Sequence, residues 1–300
     1  MKTVIIGAGS DLGVHIDGAN LGPVQLLNDL KSFYKGDEQL FVQNEDIIKS
    51  RNLSDRRKNE YEIDKFNTNL YNYILTKDKG EFFPITIGGD KSVSIASSLA
   101  SVKKNENIGM IWFSSDADYN TFESTVTGDI SGLSLAAING YKNHELRYYH
   151  QDSVIQTAKT VVIGARTIDD WEKDNVKYSG LTVFTMDDIR KKGLEKVLEE
   201  AFKIASEKTH GIHISFSLDI IDPDIAPGVS IPRFNGLTED EAMKINETII
   251  KNIDNIVSYD LLEFNPLRDQ NRKTEQIAIN LLAQIIATIP KKGKTFTRKY

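Results

Sequence analysis

An α/β fold, a parallel sheet with helices on both faces, is what this sequence predicts. Two observations carry that expectation. Short apolar runs alternate with amphipathic stretches from end to end of the chain. Segments rich in glycine and acids directly follow several of those runs, where open α/β sheets bind their ligands.

The runs at 4–6, 40–42, 83–87, 108–113, 160–163, 181–184, 212–218 and 256–261 read as strands. The stretches at 24–34, 61–75, 93–102, 194–206, 239–253 and 274–288 carry apolar residues at helical spacing. Strand and helix in alternation call for parallel pairing, because a parallel crossover needs a connection long enough to hold a helix. The longest irregular stretch is 114–132, and a loop of that length in a compact domain is usually functional or mobile. The tail at 291–300 is basic and polar and reads as a solvated end.

The chain has 300 residues, 40% of them hydrophobic, which is enough for one sizeable core. No repeat, low-complexity tract or linker divides it, so one domain over 1–300 is expected. The net charge of -6 gives no reason to expect nucleic acid or an anionic membrane as a partner. There are no cysteines, which excludes disulfides, thiolate metal sites and cysteine nucleophiles. No segment offers the ~20 apolar residues of a membrane span. The opening MKTVIIGAGSD lacks the longer apolar region and cleavage site of a signal peptide. A soluble, cytoplasmic protein is the expectation.

Five motifs stand out. Gly7-Ala8-Gly9-Ser10-Asp11-Leu12-Gly13 follows the first strand, but Leu12 stands where a dinucleotide fingerprint needs glycine. An ordinary turn fits better than a nicotinamide site. Gly88-Gly89-Asp90-Lys91-Ser92 is a strand-to-helix turn in which Asp90 has the chemistry of a helix cap. Asp116 and Asp118 lie two apart after a strongly apolar strand; a continuing strand would put them on one face, as metal ligands must be, and a loop would leave them solvated. Ser217 and Asp219 stand in the same relation at the end of another strand, with Asp222 and Asp224 close behind, and here a site is the better reading. Glu263 ends an otherwise apolar strand, so its carboxylate needs a partner such as a guanidinium ligand or an internal arginine. The five histidines lie outside the acidic motifs, and His213 reads as a hydrogen-bonded core residue. No zinc-hydrolase spacing of H-x-E or H-E-x-x-H occurs.

Taken in order, these segments resemble the arginase/agmatinase (ureohydrolase) family. Gly18-Ala19-Asn20-Leu21-Gly22-Pro23 resembles its G-x-x-x-G-P, and Gly88 to Ser92 its G-G-D-H-S. Ser114-Ser115-Asp116-Ala117-Asp118-Tyr119-Asn120-Thr121 resembles D-A-H-x-D-x-N-T, and Thr127-Gly128-Asp129-Ile130-Ser131-Gly132 resembles S-G-N-x-H-G. Ser217-Leu218-Asp219 with Asp222-Pro223 resembles D-V-D-x-x-D-P; Ala226-Pro227-Gly228 and Gly236-Leu237-Thr238 continue the match, and Glu263-Phe264-Asn265-Pro266 resembles E-x-N-P. The likeness spans almost the whole chain and is nearer to arginases than to agmatinases. It implies a three-layer α/β/α sandwich around a mostly parallel sheet of about eight strands. It also implies a homo-oligomer, trimer or hexamer.

The resemblance implies a pair of manganese ions, and the departures bear on them. The ligand positions of the family fall on Lys91, Ser114, Asp116, Asp118, Ser217 and Asp219, of which only Asp118 and Asp219 keep the family residue. Ser114 and Ser217 replace bridging carboxylates, both histidine ligands are gone, and Ser131 replaces a proton-shuttling histidine. A lysine ammonium has no lone pair for a metal and repels a cation. It is expected to pair with Asp118 and to stand in for metal charge. No resident cofactor is then expected. The alternative is an all-oxygen site for Mg²⁺ or Ca²⁺ on Asp116, Asp118 and Asp219. On the substrate side, Asn120, Thr127, Asp169, Glu172 and Glu263 match the family, whereas Asp129 replaces an asparagine that helps hold a carboxylate. An acid there is expected to repel arginine's carboxylate and to favour a small cationic amine or guanidine without one.

Overall fold

In a computed structural model of the chain, the described residues are all except 1, 44–46, 51, 53, 78–81, 143, 151–152 and 290–300. The tail at 291–300 therefore lies outside them. The eight predicted strands form one sheet: β1 (Lys2–Gly9), β2 (Asp37–Val42), β3 (Phe82–Gly88), β4 (Gly109–Phe113), β5 (Thr160–Ala165), β6 (Thr182–Thr185), β7 (Ile212–Ser217) and β8 (Ile256–Leu262). Their order across the sheet is β2-β1-β3-β8-β7-β4-β5-β6, and each neighbouring pair is parallel. Every residue of β3, β4, β5, β7 and β8 is buried, as expected of strands covered on both faces.

The expected helices are α1 (Gly22–Leu30), α2 (Glu60–Thr76), α3 (Val93–Asn105), α7 (Leu194–Ser206), α8 (Glu239–Lys251) and α9 (Lys273–Thr288). Three more were not read from periodicity: α4 (Ser134–Ile138), α5 (Asp170–Ser179) and α6 (Met186–Lys192). Two are shorter than two turns, and α5 buries only Glu172 and Asn175, so no apolar stripe marks it. The two faces of the sheet bury separate cores. Ile5, Ile85, Phe113, Ile214 and Tyr259 pack with α1, α7, α8 and α9 on one side. Val4, Ile6, Met110, Trp112 and Val162 pack with α2, α3 and α4 on the other. This is the three-layer sandwich.

The shared strand face expected for Ser217 and Asp219 needs correction, and of the alternatives left open for Asp116 and Asp118 the strand is not the one found. Asp116 and Asp118 do not continue β4, which ends at Phe113; Asp118 takes a left-handed φ of 53°. Asp219 likewise leaves its strand and lies in a single 3₁₀ turn, Leu218–Ile220. Loops, rather than a shared strand face, bring these acids together.

At the end of β3 the chain runs close against the loop after β1. Gly89 N–H donates to the Ala8 carbonyl at 3.0 Å, and Asp90 N–H to the Ser10 carbonyl at 2.9 Å. A Cβ on Gly89 would stand 1.9 Å from that Ser10 oxygen. Gly89→Ala is therefore expected to lower the thermal midpoint by an amount equivalent to about 1–3 kcal/mol, because backbone must move. An unchanged melting curve would contradict this packing.

Candidate functional site

The carboxyl ends of four adjacent strands, β3, β8, β7 and β4, converge on one side chain, Lys91. Its ammonium lies 2.8 Å from Asp219 Oδ2, 2.9 Å from Ser114 Oγ and 3.1 Å from Asp118 Oδ2. Those are three short contacts for three N–H bonds. Asp116 Oδ2 lies further out at 3.5 Å. The acids are themselves held. Asp118 Oδ2 accepts from Trp112 Nε1 at 2.9 Å and from Ser114 Oγ at 3.1 Å, and Asp219 Oδ1 accepts from Ser115 N–H at 3.1 Å. Asp116 Oδ2 accepts from the Ser115 hydroxyl at 2.6 Å. The side chains of Lys91, Asp118 and Asp219 are at most 5% exposed, whereas Asp116 is 21% exposed and marks the entrance.

Burial pushes the Lys91 pKa down, but the charges of Asp118, Asp219, Asp116 and Glu263 outweigh it and hold the ammonium well above the usual lysine value. Lys91 is therefore a buried cation at neutral pH. Burial raises Asp118 to about 6 despite Lys91's pull, because Asp116 and Asp219 add repulsion. At Asp219 the opposing effects run the other way: burial acts against its charged form, but Lys91 wins and its carboxyl is held below the ordinary range. Glu263 ends β8 at a left-handed φ of 70° and is 3% exposed. Burial lifts its pKa well above the usual carboxylate range, against the pull of Lys91.

The remaining sequence-predicted residues are spread around this centre. Ser217 is buried at the end of β7, and Ser131 is 5% exposed, its backbone N–H bonded to the Gly13 carbonyl. Glu172 accepts from Tyr119 N–H at 2.8 Å and, in the capping box of α5, from Asp169 N–H at 3.3 Å. Its carboxyl is thus committed to backbone, and burial pushes it up to about 8. Asp169 accepts from Asn120 Nδ2 at 3.3 Å, and Thr127 is exposed on the rim, where its hydroxyl accepts from Asp129 N–H at 3.1 Å. Asp129 does not stand as a bare anion. Lys58 Nζ lies 3.4 Å from its Oδ1, and His15 Nδ1 and His15 N–H both meet its Oδ2. The repulsion of a ligand carboxylate expected from Asp129 is offset by these neighbours.

Four residues near the centre were missed by sequence reasoning: His15, Lys58, Arg166 and Arg233. His15 and Lys58 come from loops whose spacing carries no signal. Arg166 follows β5 and Arg233 lies in the loop after β7, so both sit in the strand-end loops where a ligand site was expected. The Arg166 guanidinium donates to the carbonyls of Asp219 at 2.8 Å, Arg233 at 2.8 Å and Phe234 at 3.0 Å. Burial lowers its pKa from the ordinary arginine value. Arg233 Nε lies 3.7 Å from Asp116 Oδ1. His213 is a core residue, 0% exposed, between Ser258 Oγ at 2.6 Å and Asp260 Oδ2 at 3.1 Å.

Fold and site together define an open, parallel α/β protein with a charged centre at the carboxyl ends of its middle strands. The model of the "Arginase family" matches residues 1–288, and the chain belongs to that family. It is 30% identical to an arginase of Bacillus subtilis strain 168 over 95% of this chain and 98% of the relative. An arginase of Staphylococcus aureus strain MSSA476 is 32% identical over 93% of this chain and 94% of the relative. The crystal structure of an arginase from Bacillus cereus superposes with a TM-score of 0.86 at 28% identity, covering 95% of this chain and 98% of that one.

Two outcomes follow. Lys91→Met strips the cation from three buried or half-buried aspartates, and removing one member of such a cluster costs about 3–5 kcal/mol. A denaturant midpoint unchanged by this substitution would mean that Lys91 does not balance them. Glu172 holds its proton in the folded chain up to about 8 but loses it near the ordinary glutamate value when unfolded. The fold therefore loses stability as pH rises through that window. The thermal midpoint of Glu172→Gln minus that of the native chain is expected to be more positive at pH 8.5 than at pH 5; a difference flat with pH contradicts the assignment.

Proposed function

We propose that this arginase-family chain uses Lys91 in place of the family's manganese pair, does not hydrolyse arginine, and acts as a binding or regulatory protein for a small cationic amine or guanidine. The observation that carries the reading is the Lys91 ammonium bonded at 2.8 Å to Asp219 and 3.1 Å to Asp118, the two retained ligand positions. Its three short contacts go to the two acids a metal would need and to the Ser114 hydroxyl. The other positions do not help. Ser114 and Ser217 are neutral hydroxyls where bridging anions must balance two dications, and no imidazole stands at any of the six. Among the described residues, no group of three or more His, Cys, Asp or Glu side chains is arranged to hold a metal. The residues present do not fit a dinuclear cluster.

The chemical consequence is direct. A bound metal lowers the pKa of water from about 16 to about 7 and so supplies hydroxide at neutral pH. A lone carboxylate base supplies only about 10²–10⁴-fold. That falls short of what attack on a resonance-stabilised guanidinium needs. A second reading is a hydrolase with Mg²⁺ or Ca²⁺ on Asp116, Asp118 and Asp219. Lys91 weighs against it, because the ammonium already pairs with Asp118 and Asp219 and stands 3.5 Å from Asp116. A homo-oligomer, trimer or hexamer, remains part of the proposal. Among the described residues no helix is long and apolar enough to cross a membrane.

Metal analysis after incubation with Mn²⁺, Mg²⁺ or Ca²⁺ tests the reading. The native chain is expected to retain less than stoichiometric metal and to release no urea from arginine. The combined variant Lys91→His, Ser114→Asp, Asp116→His and Ser217→Asp is expected to gain manganese. Stoichiometric, activity-supporting metal in the native chain would overturn the proposal.

A further inference from the structure

The segment between β7 and α8 forms a closed loop over the site. Its two ends meet: Asp222 N–H donates to the Leu237 carbonyl at 2.9 Å, Leu237 N–H to the Ile220 carbonyl at 3.0 Å, and Gly236 N–H to Asp222 Oδ2 at 3.0 Å. Near its far end the loop is clamped from outside. Arg166 spends its guanidinium on backbone, taking the Arg233 carbonyl at 2.8 Å, the Phe234 carbonyl at 3.0 Å and, on the site side, the Asp219 carbonyl at 2.8 Å. A charged group used on carbonyls alone is a strong positional restraint, since several donors in a rigid plane must be satisfied together. What it positions is Arg233, whose Nε lies 3.7 Å from Asp116 Oδ1. Asp116 is the partly exposed aspartate of the three, at 21%, so this guanidinium stands at the entrance.

The contact is loose. A charge-assisted N–H···O bond closes to about 2.7–2.9 Å, and Arg233 Nε, buried, makes no hydrogen bond at all. An ion pair of this kind, with a side chain 37% exposed, is easily displaced. A free guanidinium or ammonium able to reach Asp116 at full hydrogen-bonding distance competes with it for one carboxylate.

We propose that Arg233 is a resident guanidinium that covers the Asp116 end of the pocket, so that the 222–237 loop works as a tethered competitor of cationic ligands. The proposal rests on the reading of the site as a metal-free pocket for an amine or guanidine. It adds the means by which entry is controlled. Anything that draws the loop off Asp116 exposes the carboxylate, and anything that holds it down keeps cations out.

Calorimetric titration with agmatine, a guanidine without a carboxylate, tests this on the full-length native chain and on Arg233→Ala, Arg233→Lys, Asp116→Asn and the Arg233→Ala/Asp116→Asn pair. Removing the competitor is expected to tighten agmatine binding by up to about fivefold, the upper range of what a partly exposed ion pair withholds. Arg233→Lys is expected to stay near the native affinity, and the gain is expected to vanish when Asp116 is also changed. Equal or weaker binding by Arg233→Ala, a gain that survives without Asp116, or no agmatine binding by any form overturns the proposal. The thermal midpoints of the same four-cornered set without ligand give a second readout. Non-additive shifts are expected from a pair in contact, and strictly additive ones overturn it. Failure of the underlying reading shows as stoichiometric metal, urea release by the native chain or no agmatine binding by any form, whereas the remaining outcomes overturn this proposal alone.

Discussion

A single ammonium at the meeting point of four strand ends is the constraint on which the rest of this site depends. Three aspartates within a few ångströms of one another cannot all stay ionised in a buried place without a counter-charge. Lys91 supplies it, and the pattern of shifts follows from where each acid stands. Asp219, at 2.8 Å, is held below the carboxylate range, while Asp118 at 3.1 Å is raised to about 6 by burial and by its acidic neighbours. Glu263 is raised well above the ordinary carboxylate range, chiefly by its burial. The same balance extends outward. Arg233 lies against Asp116 and Lys58 against Asp129, so the acids around the mouth are met by cations of the chain itself, and the His15 ring adds a contact to Asp129.

Such a centre works only if the lysine is aimed well, and the polar seam beneath it provides for that. Lys91 sits two residues before α3. On the sheet-facing side of α3, Ser94 and Ser97 donate to Asp260 Oδ2 at 2.7 and 2.5 Å, and Ser101 donates to Ser258 at 2.8 Å. His213 joins the two groups from β7. Ser258, His213 and Asp260 are each at most 2% exposed, so this serine, histidine and aspartate are sealed from any substrate. Their effect is mechanical. A helix held by directional bonds at successive turns cannot slide or roll against β7 and β8, whereas an apolar face tolerates small shifts. The start of α3, and with it Lys91, is thereby fixed relative to Asp219 at the end of β7.

Much of this was legible in the sequence, and the parts that were not have physical causes. Most of the strands were readable because buried parallel strands are nearly continuous apolar runs, although β2 at the edge has no buried residue. Leu194–Ser206 was readable because its apolar stripe is strong, while α5 hid because only Glu172 and Asn175 face inward. At the site, Lys91, Asp118 and Asp219 could be named from motif and position. Their convergence through a left-handed residue and a 3₁₀ turn could not, because each depends on loops rather than on strand periodicity. The cations at the rim were invisible for a related reason. Lys58 meets Asp129 across 71 residues, and Arg166 meets Phe234 across 68, and no local pattern encodes a pairing at that range.

The missed rim residues also change what the motif departures mean. Taken one at a time, the substitutions at Lys91, Ser114 and Ser217 describe loss: ligands that a metal pair would need are absent. Taken with Lys91, Arg233 and Lys58, they stand beside a set of contacts in which side-chain cations of the chain meet its carboxylates. Simple decay of a metal centre would leave buried acids facing one another, and the energetic cost of that would fall on the fold. Here the deepest acid contacts are short, directional and saturated, and the looser ones lie toward solvent, where Asp116 and Arg233 stand 3.7 Å apart. The acid contacts thus grade from short and buried at the centre to loose and partly exposed at the entrance.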